Sequence, residues 1–201
     1  MKFTRHGILF VISAPSGAGK TTVVQALRET GNFAYSVSCT TRTPRAGEIN
    51  GEHYRFLSAV EFHARIDAGD FLEHAKVHQH LYGTLREPVL TNLQNGVDVL
   101  IDIDTQGAGT IRKCDDPIVR QALADIFIMP PNLDELRRRL MKRGTETPQQ
   151  IDSRLATAIR EMELWRDYRY TIVSGSVEED LENVHNIMSA EMFLSRRLTL
   201  N

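Results

Sequence analysis

The segment Ala14-Pro15-Ser16-Gly17-Ala18-Gly19-Lys20-Thr21 has the residue types and spacing of a phosphate-binding loop. It follows a short apolar run, Ile8 to Ile12, and precedes a helix-like segment, Thr22 to Thr30. A glycine-rich turn between a strand and a helix can point its backbone N–H groups at phosphate oxygens, and the helix N-terminus adds partial positive charge. We therefore predict a triphosphate-binding loop, with alanine at position 14 where the first glycine of the pattern usually stands.

Two side chains at the end of this loop have chemistry suited to a metal-bound triphosphate. Lys20 would reach the β- and γ-phosphates, and the hydroxyl of Thr21 would hold Mg²⁺. The alternative is an ordinary strand-to-helix turn, which rarely needs two glycines and a lysine together.

Carboxylates occur at the end of a second apolar run, Val97 to Asp104, which we predict as a strand. Asp102 and Asp104 alternate along it and would share one face. An acidic residue at the end of an apolar strand beside a phosphate loop commonly supports the Mg²⁺ shell. The alternative is that one of the two caps the following turn at Gln106-Gly107.

Arginines are concentrated in two segments. Arg42 and Arg45, followed by Gly47 and Tyr54, could form an anion pocket, because the planar guanidinium binds phosphate through two hydrogen bonds. A solvated basic loop is the alternative. The second cluster lies on a predicted helix whose apolar side is formed by leucines; its members are Arg137, Arg138, Arg139, Lys142 and Arg143. Such a helix could close over phosphates, although a solvated face explains some of these charges.

Other reactive residue types have weaker patterns. His74, His78 and His80 include a His-x₃-His spacing that fits one helical face, but no acidic or cysteine ligands match it, and exposed histidines are favoured. Cys39 and Cys114 have no metal or redox spacing; we expect packing residues in a reduced compartment. Trp165 follows a helical apolar series and is expected in the core.

Strands alternating with helices must position these residues. The apolar runs Ile8 to Ile12, Val97 to Asp104, Asp125 to Met129 and Tyr170 to Val173 predict a parallel sheet with helices on both faces. Capping boxes predict helix starts at Ser58, Thr147 and Ser176, and glycines predict helix ends at Gly31, Gly69, Gly96 and Gly144. Ligands bind such sheets at the carboxyl ends of the strands, where the phosphate loop and both aspartates fall.

The bulk composition is that of an ordinary globular protein. The chain has 201 residues, 41% hydrophobic and 25% charged, with a net charge of -2. One domain is expected, with no nucleic acid as partner, because the balance of charge is not basic. No segment approaches the length of a membrane span, so no membrane partner and a cytoplasmic location are expected. Residues 35–83 and 133–154 fit the sheet pattern poorly and are interpreted as a substrate-binding excursion and a lid.

The chain resembles the guanylate kinases, most closely in residues 36–54, Ser-Val-Ser-Cys-Thr-Thr-Arg-Thr-Pro-Arg-Ala-Gly-Glu-Ile-Asn-Gly-Glu-His-Tyr. Further matches are Phe-Leu-Glu-His-Ala at 71–75, Tyr-Gly-Thr at 82–84, Asp-Ile-Asp-Thr-Gln-Gly at 102–107 and Arg-Gly-Thr-Glu-Thr at 143–147. The motifs occur in the family's order between residue 8 and about residue 174. Together they are far more specific than the phosphate loop alone.

The resemblance implies a role for each matching residue. The implied ATP-binding residues are Ala14, Pro15, Ser16, Gly17, Ala18, Gly19, Lys20, Thr21 and Thr22. The implied GMP-binding residues are Ser38, Arg42, Arg45, Glu48, Tyr54, Glu73, Tyr82, Thr84, Asp102 and Asp104. The implied catalytic residues are Lys20, Arg139, Arg143 and Arg154, and the implied metal-binding residues are Thr21 and Asp102. Glu73 would accept hydrogen bonds from guanine N1–H and the 2-amino group, a pair of donors that adenine lacks.

The resemblance also implies a P-loop NTPase fold and Mg²⁺-dependent transfer of the ATP γ-phosphoryl group to GMP. Within one domain, 1–201, the core would comprise 1–34, 85–132 and 155–201, the GMP-binding region 35–84 and the mobile lid 133–154. There are two alternative functions. A kinase of the same fold acting on a bisphosphorylated sugar would leave the guanine contacts idle, and a peptide-binding module of this family would usually lack an intact phosphate loop.

Overall fold

The computed structural model describes residues 1, 3–77, 79–142 and 147–200. The strands are β1 (Phe3–Arg5), β2 (Leu9–Ser13), β3 (Ala34–Tyr35), β4 (Cys39–Thr40), β5 (Arg55–Phe56), β6 (Phe71–Val77), β7 (His80–Leu85), β8 (Val99–Asp102), β9 (Leu123–Met129), β10 (Tyr170–Val173) and β11 (Leu198–Leu200). The helices are α1 (Lys20–Thr30), α2 (Ala59–Asp67), α3 (Arg86–Gln94), α4 (Thr105–Arg112), α5 (Pro117–Ala122), α6 (Leu133–Lys142), α7 (Pro148–Met162) and α8 (Val177–Met192). Short 3₁₀ helices span Glu163–Asp167 and Ser195–Arg197.

A parallel sheet in the order β10-β9-β2-β8-β3 forms the centre of the described chain. Every residue of β2 is buried, because this strand is covered on both faces. Phe10 and Ile12 pack with side chains of α1 and α8, whereas Leu9 and Val11 pack with α3, α4 and α5. The predicted α/β fold with helices on both faces of a parallel sheet is confirmed. In the described residues, no helix is long and apolar enough to cross a membrane.

The segment between β3 and α3 forms a second, smaller sheet in the order β5-β4-β7-β6. Strands β6 and β7 form an antiparallel hairpin, and α2 covers the sheet through a cluster that includes Cys39, Phe62 and Phe71. Cys39 is therefore a packing residue, as predicted. Tyr35, predicted to begin the excursion, still lies on β3 of the central sheet. Residues 36–83 leave that sheet and contain more regular structure than their polar sequence indicated.

Helices α6 and α7 form a pair with its own small core, made by Leu136 and Leu140 on one helix and Ala158 on the other. A capping box at Thr147 starts α7, with Pro148 in its first turn, as predicted. The helix continues past residue 154 to Met162. Gly144, predicted as a helix end, and Arg143 lie outside the described residues.

Several local predictions were wrong. The run from Val97 to Asp104 forms a strand only over Val99–Asp102, and Asp104 is the N-cap of α4, where its side chain accepts the Gly107 N–H at 2.9 Å. Trp165 is 37% exposed, because α7 ends before it and a 3₁₀ helix turns its ring outward. His74 and His80 lie on strands, which rules out a shared helical face for the histidines; His78 lies outside the described residues.

Candidate active site

The loop between β2 and α1 has a conformation that only its glycines readily adopt. Gly17 and Gly19 have φ angles of 91° and 103°, in the left-handed region that disfavours other residues. A Cβ at Gly17 would also lie 2.6 Å from a methyl carbon of Leu140, so α6 packs directly against the loop. Gly19 is the N-cap of α1 and makes no side-chain capping bond. The first N–H groups of α1 therefore remain suited to an anion.

The residues expected to bind ATP form one continuous segment from the end of β2 into the first turn of α1, of which Gly17, Ala18, Gly19 and Thr22 line a cleft. Ala14 and Pro15 are buried beneath the loop, and Thr21 and Thr22 are exposed at the helix start. Internal hydrogen bonds from Ala18 N–H to the Pro15 carbonyl and from Thr22 N–H to the Gly19 carbonyl hold the turn together.

A cleft of about 530 Å³ opens beside the loop. Its floor is formed by the loop glycines and the start of α1, one wall by α6, and the other by residues 174–177 after β10. Sequence reasoning missed this second wall, since the stretch after Ser174 carries only a helix-start signal. A cleft of this volume, with the loop on its floor and a wall on each side, has the size of a nucleotide site.

Arg139 of α6 reaches across this cleft. Its guanidinium donates to the carbonyl oxygen of Ala18 at 2.7 Å and to the hydroxyl of Ser174 at 3.1 Å, and its Nε donates to Glu135 at 2.7 Å. The predicted lid arginine is therefore at the phosphate loop. Glu135 also binds Arg138, and these two guanidinium groups hold the pKa of Glu135 down at about 2.

The structure describes one of the other two predicted catalytic arginines. Arg154 lies on α7 and is partly buried. Arg143 lies outside the described residues.

Lys20, Asp102 and Tyr35 form a hydrogen-bonded chain that links the start of α1 to the carboxyl ends of β8 and β3. Lys20 Nζ lies 3.0 Å from Oδ2 of Asp102, and the Tyr35 hydroxyl donates to Oδ1 of the same carboxylate at 2.5 Å. The two predicted residues are therefore brought together across the sheet edge. Tyr35 was not predicted as a site residue, because no local sequence pattern marks its hydroxyl.

The donors near the loop suit a hard cation that arrives with a phosphate ligand. Thr21 offers a hydroxyl oxygen at the helix start and Asp102 offers carboxylate oxygens, the donor types that Mg²⁺ takes alongside phosphates and waters. Among the described residues, no group of three or more His, Cys, Asp or Glu side chains could hold a metal alone. The donor set thus fits a metal shared with a substrate.

A second cleft, of about 190 Å³, lies between the two sheets. Its lining includes Lys20 at the start of α1 and Asp102 at the end of β8, together with Ser38, Tyr54, Glu73 and Tyr82 from the segment between β3 and α3. Asp104 also lines it. The two aspartates therefore face one cleft although only Asp102 lies on the strand.

Glu73 is a buried carboxylate at the end of this cleft, only 4% exposed. The hydroxyl of fully buried Thr84 donates to its Oε1 at 2.7 Å. Burial raises the pKa of Glu73 to about 7, against the lowering effect of the Thr84 hydroxyl. A Cβ at Gly107 would lie 2.5 Å from Oε2 of Glu73. Because glycine has no Cβ, position 107 leaves room for the Glu73 carboxylate.

Arg42 and Glu48 form a bidentate ion pair beside the cleft. Arg42 Nη1 and Nη2 lie 2.9 and 2.8 Å from the two Glu48 oxygens, and Nη1 also donates to the Thr43 carbonyl. This guanidinium holds the pKa of Glu48 at about 2. Glu48 also accepts the Arg45 N–H at 2.7 Å, while the Arg45 side chain is exposed.

Tyr54 and Tyr82 line the cleft on the side of the Arg42–Glu48 ion pair. The rings of Tyr54 and Tyr82 meet edge to face with 6.0 Å between centroids, and the Arg42 guanidinium lies 5.3 Å from the Tyr54 ring centre. Burial, with the nearby Asp102 charge, raises the pKa of Tyr54 to about 12. The Tyr54 hydroxyl is therefore a protonated donor at neutral pH, which suits it to hydrogen-bond an anion such as phosphate.

Comparison with known proteins identifies similar chains along almost the whole length. The family model described as guanylate kinase matches residues 7–191. The guanylate kinase of Clostridium tetani is 43% identical over 185 residues, covering 92% of this chain and 86% of that one. The guanylate kinase of a Chelativorans species is 43% identical over 195 residues, covering 96% and 87%. The crystal structure of guanylate kinase from Anaplasma phagocytophilum superposes with a TM-score of 0.81 at 34% identity, covering 98% and 92%.

Proposed function

The chain belongs to the guanylate kinase family, and we propose that its two clefts bind ATP and GMP for the reaction that the family catalyses. In that reaction a phosphate oxygen of GMP bonds to the γ-phosphorus of ATP. The bond from that phosphorus to the β–γ bridging oxygen breaks, and ADP and GDP result. The enzyme is a nucleoside monophosphate kinase.

One observation carries this assignment of the clefts. Lys20, from the phosphate loop, and Glu73, a buried carboxylate, line the same cleft. A loop suited to the phosphates of a donor and a pocket suited to the base of an acceptor thus face a common space. This arrangement supports direct transfer between two nucleotides bound side by side.

Glu73 is proposed to recognise the guanine base through hydrogen bonds. A carboxylate accepts from N1–H and the 2-amino group together, and Thr84 fixes the rotation of the Glu73 carboxylate by donating to its other side. Ser38 and Asp104 are proposed as further guanine contacts, since both line the cleft. Adenine would leave the buried carboxylate without its donors, which costs about 1 to 3 kcal/mol or more for a charged group.

The GMP phosphate is proposed to lie against Arg42, Arg45, Tyr54 and Tyr82. Glu48 would act through Arg42, because its bidentate ion pair sets the guanidinium plane. The exposed Arg45 side chain is available to complete the contact. Residues 35–84 would then be the GMP-binding region of the single domain.

ATP is proposed to occupy the cleft beside the phosphate loop of residues 14–22, with its phosphates on the backbone N–H groups of Gly17, Gly19 and Lys20. Lys20 would move from Asp102 to the β- and γ-phosphates. Arg139, Arg143 and Arg154 are proposed as catalytic residues that neutralise the transferring group, with Arg139 positioned at the loop by Glu135. Residues 133–154 are proposed as the lid, and its closure would exclude water from the reaction.

Guanylate kinases need a divalent metal, and we propose Mg²⁺, held with ATP by Thr21 and Asp102. Bound there, it would neutralise charge on the β- and γ-phosphate oxygens. The GMP phosphate is already an anion at neutral pH, so no side chain needs to remove a proton. The chain's own residues therefore contribute binding, alignment in line and charge neutralisation.

We propose the cytoplasm as the place of action and no nucleic acid or membrane as partner. Cys39 and Cys114 are both free thiols, which suits a reducing compartment. The net charge of -2 gives no electrostatic basis for binding a polyanion.

The test is ADP release from MgATP with GMP, dGMP, AMP, UMP or ribose 1,5-bisphosphate as acceptor. Fast turnover with GMP and almost none with AMP is expected. Lys20→Ala is the control for contaminating kinases, and its rate should be lower by orders of magnitude. Turnover with the bisphosphorylated sugar alone would remove the guanine assignment, and binding of GMP without any turnover would favour a binding module.

A further inference from the structure

Tyr35 and Asp102 are diagonal neighbours in the central sheet. Strand β3 pairs in parallel with β8, with Tyr35 opposite Leu100. Asp102 lies two residues beyond Leu100 on the same face of β8, which brings diagonal side chains within reach of each other when one of them is aromatic. The Tyr35 hydroxyl reaches across this diagonal and donates a hydrogen bond to Oδ1 of Asp102 at 2.5 Å.

The ring of Tyr35 is held in place from its other side. The guanidinium carbon of Arg28, in the last turns of α1, lies 4.2 Å from the ring centre. The side chain is partly buried, and its backbone is fixed by the sheet. Tyr35 therefore offers Asp102 a hydrogen-bond donor whose position is determined by two elements of the core.

The two oxygens of Asp102 have separate partners. Oδ1 accepts from Tyr35, and Oδ2 lies 3.0 Å from Lys20 Nζ. The hydrogen bond to Oδ1 restricts rotation of the Asp102 carboxylate about χ2, an angle that otherwise has a broad distribution in aspartate. Without that hydroxyl, the carboxylate could turn both oxygens toward the ammonium group of Lys20.

We propose that Tyr35 is a positioning residue that orients the Asp102 carboxylate toward the metal and keeps Lys20 available to the ATP phosphates. This inference rests on the proposed role of Asp102 as a metal-supporting residue. It predicts that the Tyr35 hydroxyl contributes to metal affinity and to kcat, and contributes little to GMP affinity. The chemical group required is the hydroxyl, because the ring is positioned by β3 and Arg28.

The experiment compares Tyr35→Phe with Tyr170→Phe. Tyr170 is the matched control, since its hydroxyl also donates to a carboxylate, Glu191, at 2.7 Å, in a different part of the sheet. The affinity of Mn²⁺ for the enzyme with a non-hydrolysable ATP analogue is measured by electron paramagnetic resonance. The Mg²⁺ dependence of kcat and the metal-free dissociation constant of GMP are measured beside it.

Tyr35→Phe is expected to weaken Mn²⁺ binding and lower kcat, each by about tenfold, the scale of one lost hydrogen bond to a charged group. Its GMP dissociation constant should stay within about twofold of wild type. Tyr170→Phe should leave Mn²⁺ affinity unchanged. Equal Mn²⁺ affinity in wild type and Tyr35→Phe would overturn the inference, as would a loss confined to GMP binding.

A double-mutant cycle with Asp102→Asn separates positioning from a general structural effect. If Tyr35 acts through the carboxylate, Tyr35→Phe should change Mn²⁺ affinity little in the Asp102→Asn background. An undiminished effect there would overturn the inference. Failure of the proposed function is a different result: wild type would then fail to phosphorylate GMP, whatever the Mn²⁺ affinities of the variants.

Discussion

The carboxylate of Glu161 accepts a hydrogen bond from the backbone N–H of Ser16, with 2.9 Å between Oε2 and the nitrogen. Glu161 lies in the last turns of α7, and Ser16 lies in the phosphate loop, 145 residues earlier in the chain. The next loop residue, Gly17, packs against Leu140 of α6. The helical pair is therefore attached to the loop through one polar and one apolar contact at adjacent residues.

Glu161→Ala should loosen this attachment. We expect the free energy of unfolding to fall by about 1 to 2 kcal/mol, the range for a hydrogen bond to a charged group that is partly exposed. We also expect KM for ATP to rise more than KM for GMP, because the affected loop carries the proposed ATP phosphates. Chemical unfolding and steady-state kinetics measure both effects. Glu163→Ala, at an exposed glutamate two residues later, is the control; equal effects of the two changes would argue against the contact.

GMP affinity should depend on pH near neutrality. Burial raises the pKa of Glu73 to about 7, whereas recognition of N1–H and the 2-amino group needs the ionised carboxylate. KM for GMP should therefore rise as the pH falls from 8 to 6, while KM for ATP should change much less. A GMP affinity that is constant over this range would contradict the proposed role of the carboxylate.

The same raised pKa predicts that the protein becomes less stable as the pH rises, although its affinity for GMP improves over the same range. Glu73 binds its proton more tightly when folded than when unfolded, since its pKa is about 7 against a usual value of 4.5. The free energy of unfolding should therefore decline as the pH rises from about 5 through 7. Denaturant unfolding at several pH values should show less decline in Glu73→Gln, in which the position carries no titrating group.

Gly107→Ala should damage the guanine pocket without disturbing the phosphate loop. The added methyl carbon would lie 2.5 Å from Oε2 of Glu73, so the carboxylate must move. We expect KM for GMP to rise by about 10- to 100-fold, the scale for an ångström-sized misplacement. Gly109→Ala, in the same helix, is the control, because its nearest neighbour would be an arginine nitrogen at 3.9 Å. Similar kinetics for the two variants would show that the space at position 107 is unimportant.

Arg42→Ala should act mainly on the acceptor. Removal of the guanidinium takes away a proposed phosphate contact and leaves the Glu48 carboxylate near the phosphate, where like charges repel. We expect an increase in KM for GMP of about 100-fold, corresponding to roughly 3 kcal/mol for a charge-assisted bidentate contact. Arg65→Ala, which breaks the exposed ion pair with Asp70, provides a comparison; an unchanged KM in Arg42→Ala would exclude the phosphate role.

The parts of the site predicted from sequence are those encoded by local patterns. The phosphate loop is recognisable because glycine, lysine and threonine must follow one another between a strand and a helix. The starts of α2, α7 and α8 were predicted correctly, because a capping box is a bond between residues three apart. The burial of Glu73 was not predictable from composition; the family resemblance alone indicated its role.

The features that sequence reasoning missed depend on contacts between distant segments. The hydroxyl of Tyr35 meets Asp102 only because β3 and β8 pair with a particular register. Glu161 reaches Ser16 only because α7 returns to the loop. For Asp104 the sequence left two outcomes open, a place on the strand and a cap of the following turn, and the structure has the cap: its side chain accepts the Gly107 N–H at the start of α4. Local pattern cannot choose between these outcomes when a carboxylate suits both.

The measurement that tests the account most directly is the steady-state kinetics of Glu73→Gln with GMP and ATP varied separately. Glutamine keeps the size of the side chain and loses one of the two acceptors that guanine needs. We predict that kcat/KM for GMP falls by about 100-fold or more, the scale at which a mismatched polar site rejects a substrate, while KM for ATP stays within about twofold. A variant that keeps wild-type kcat/KM for GMP, or that loses ATP and GMP affinity equally, would contradict the assignment of this buried carboxylate to the guanine base.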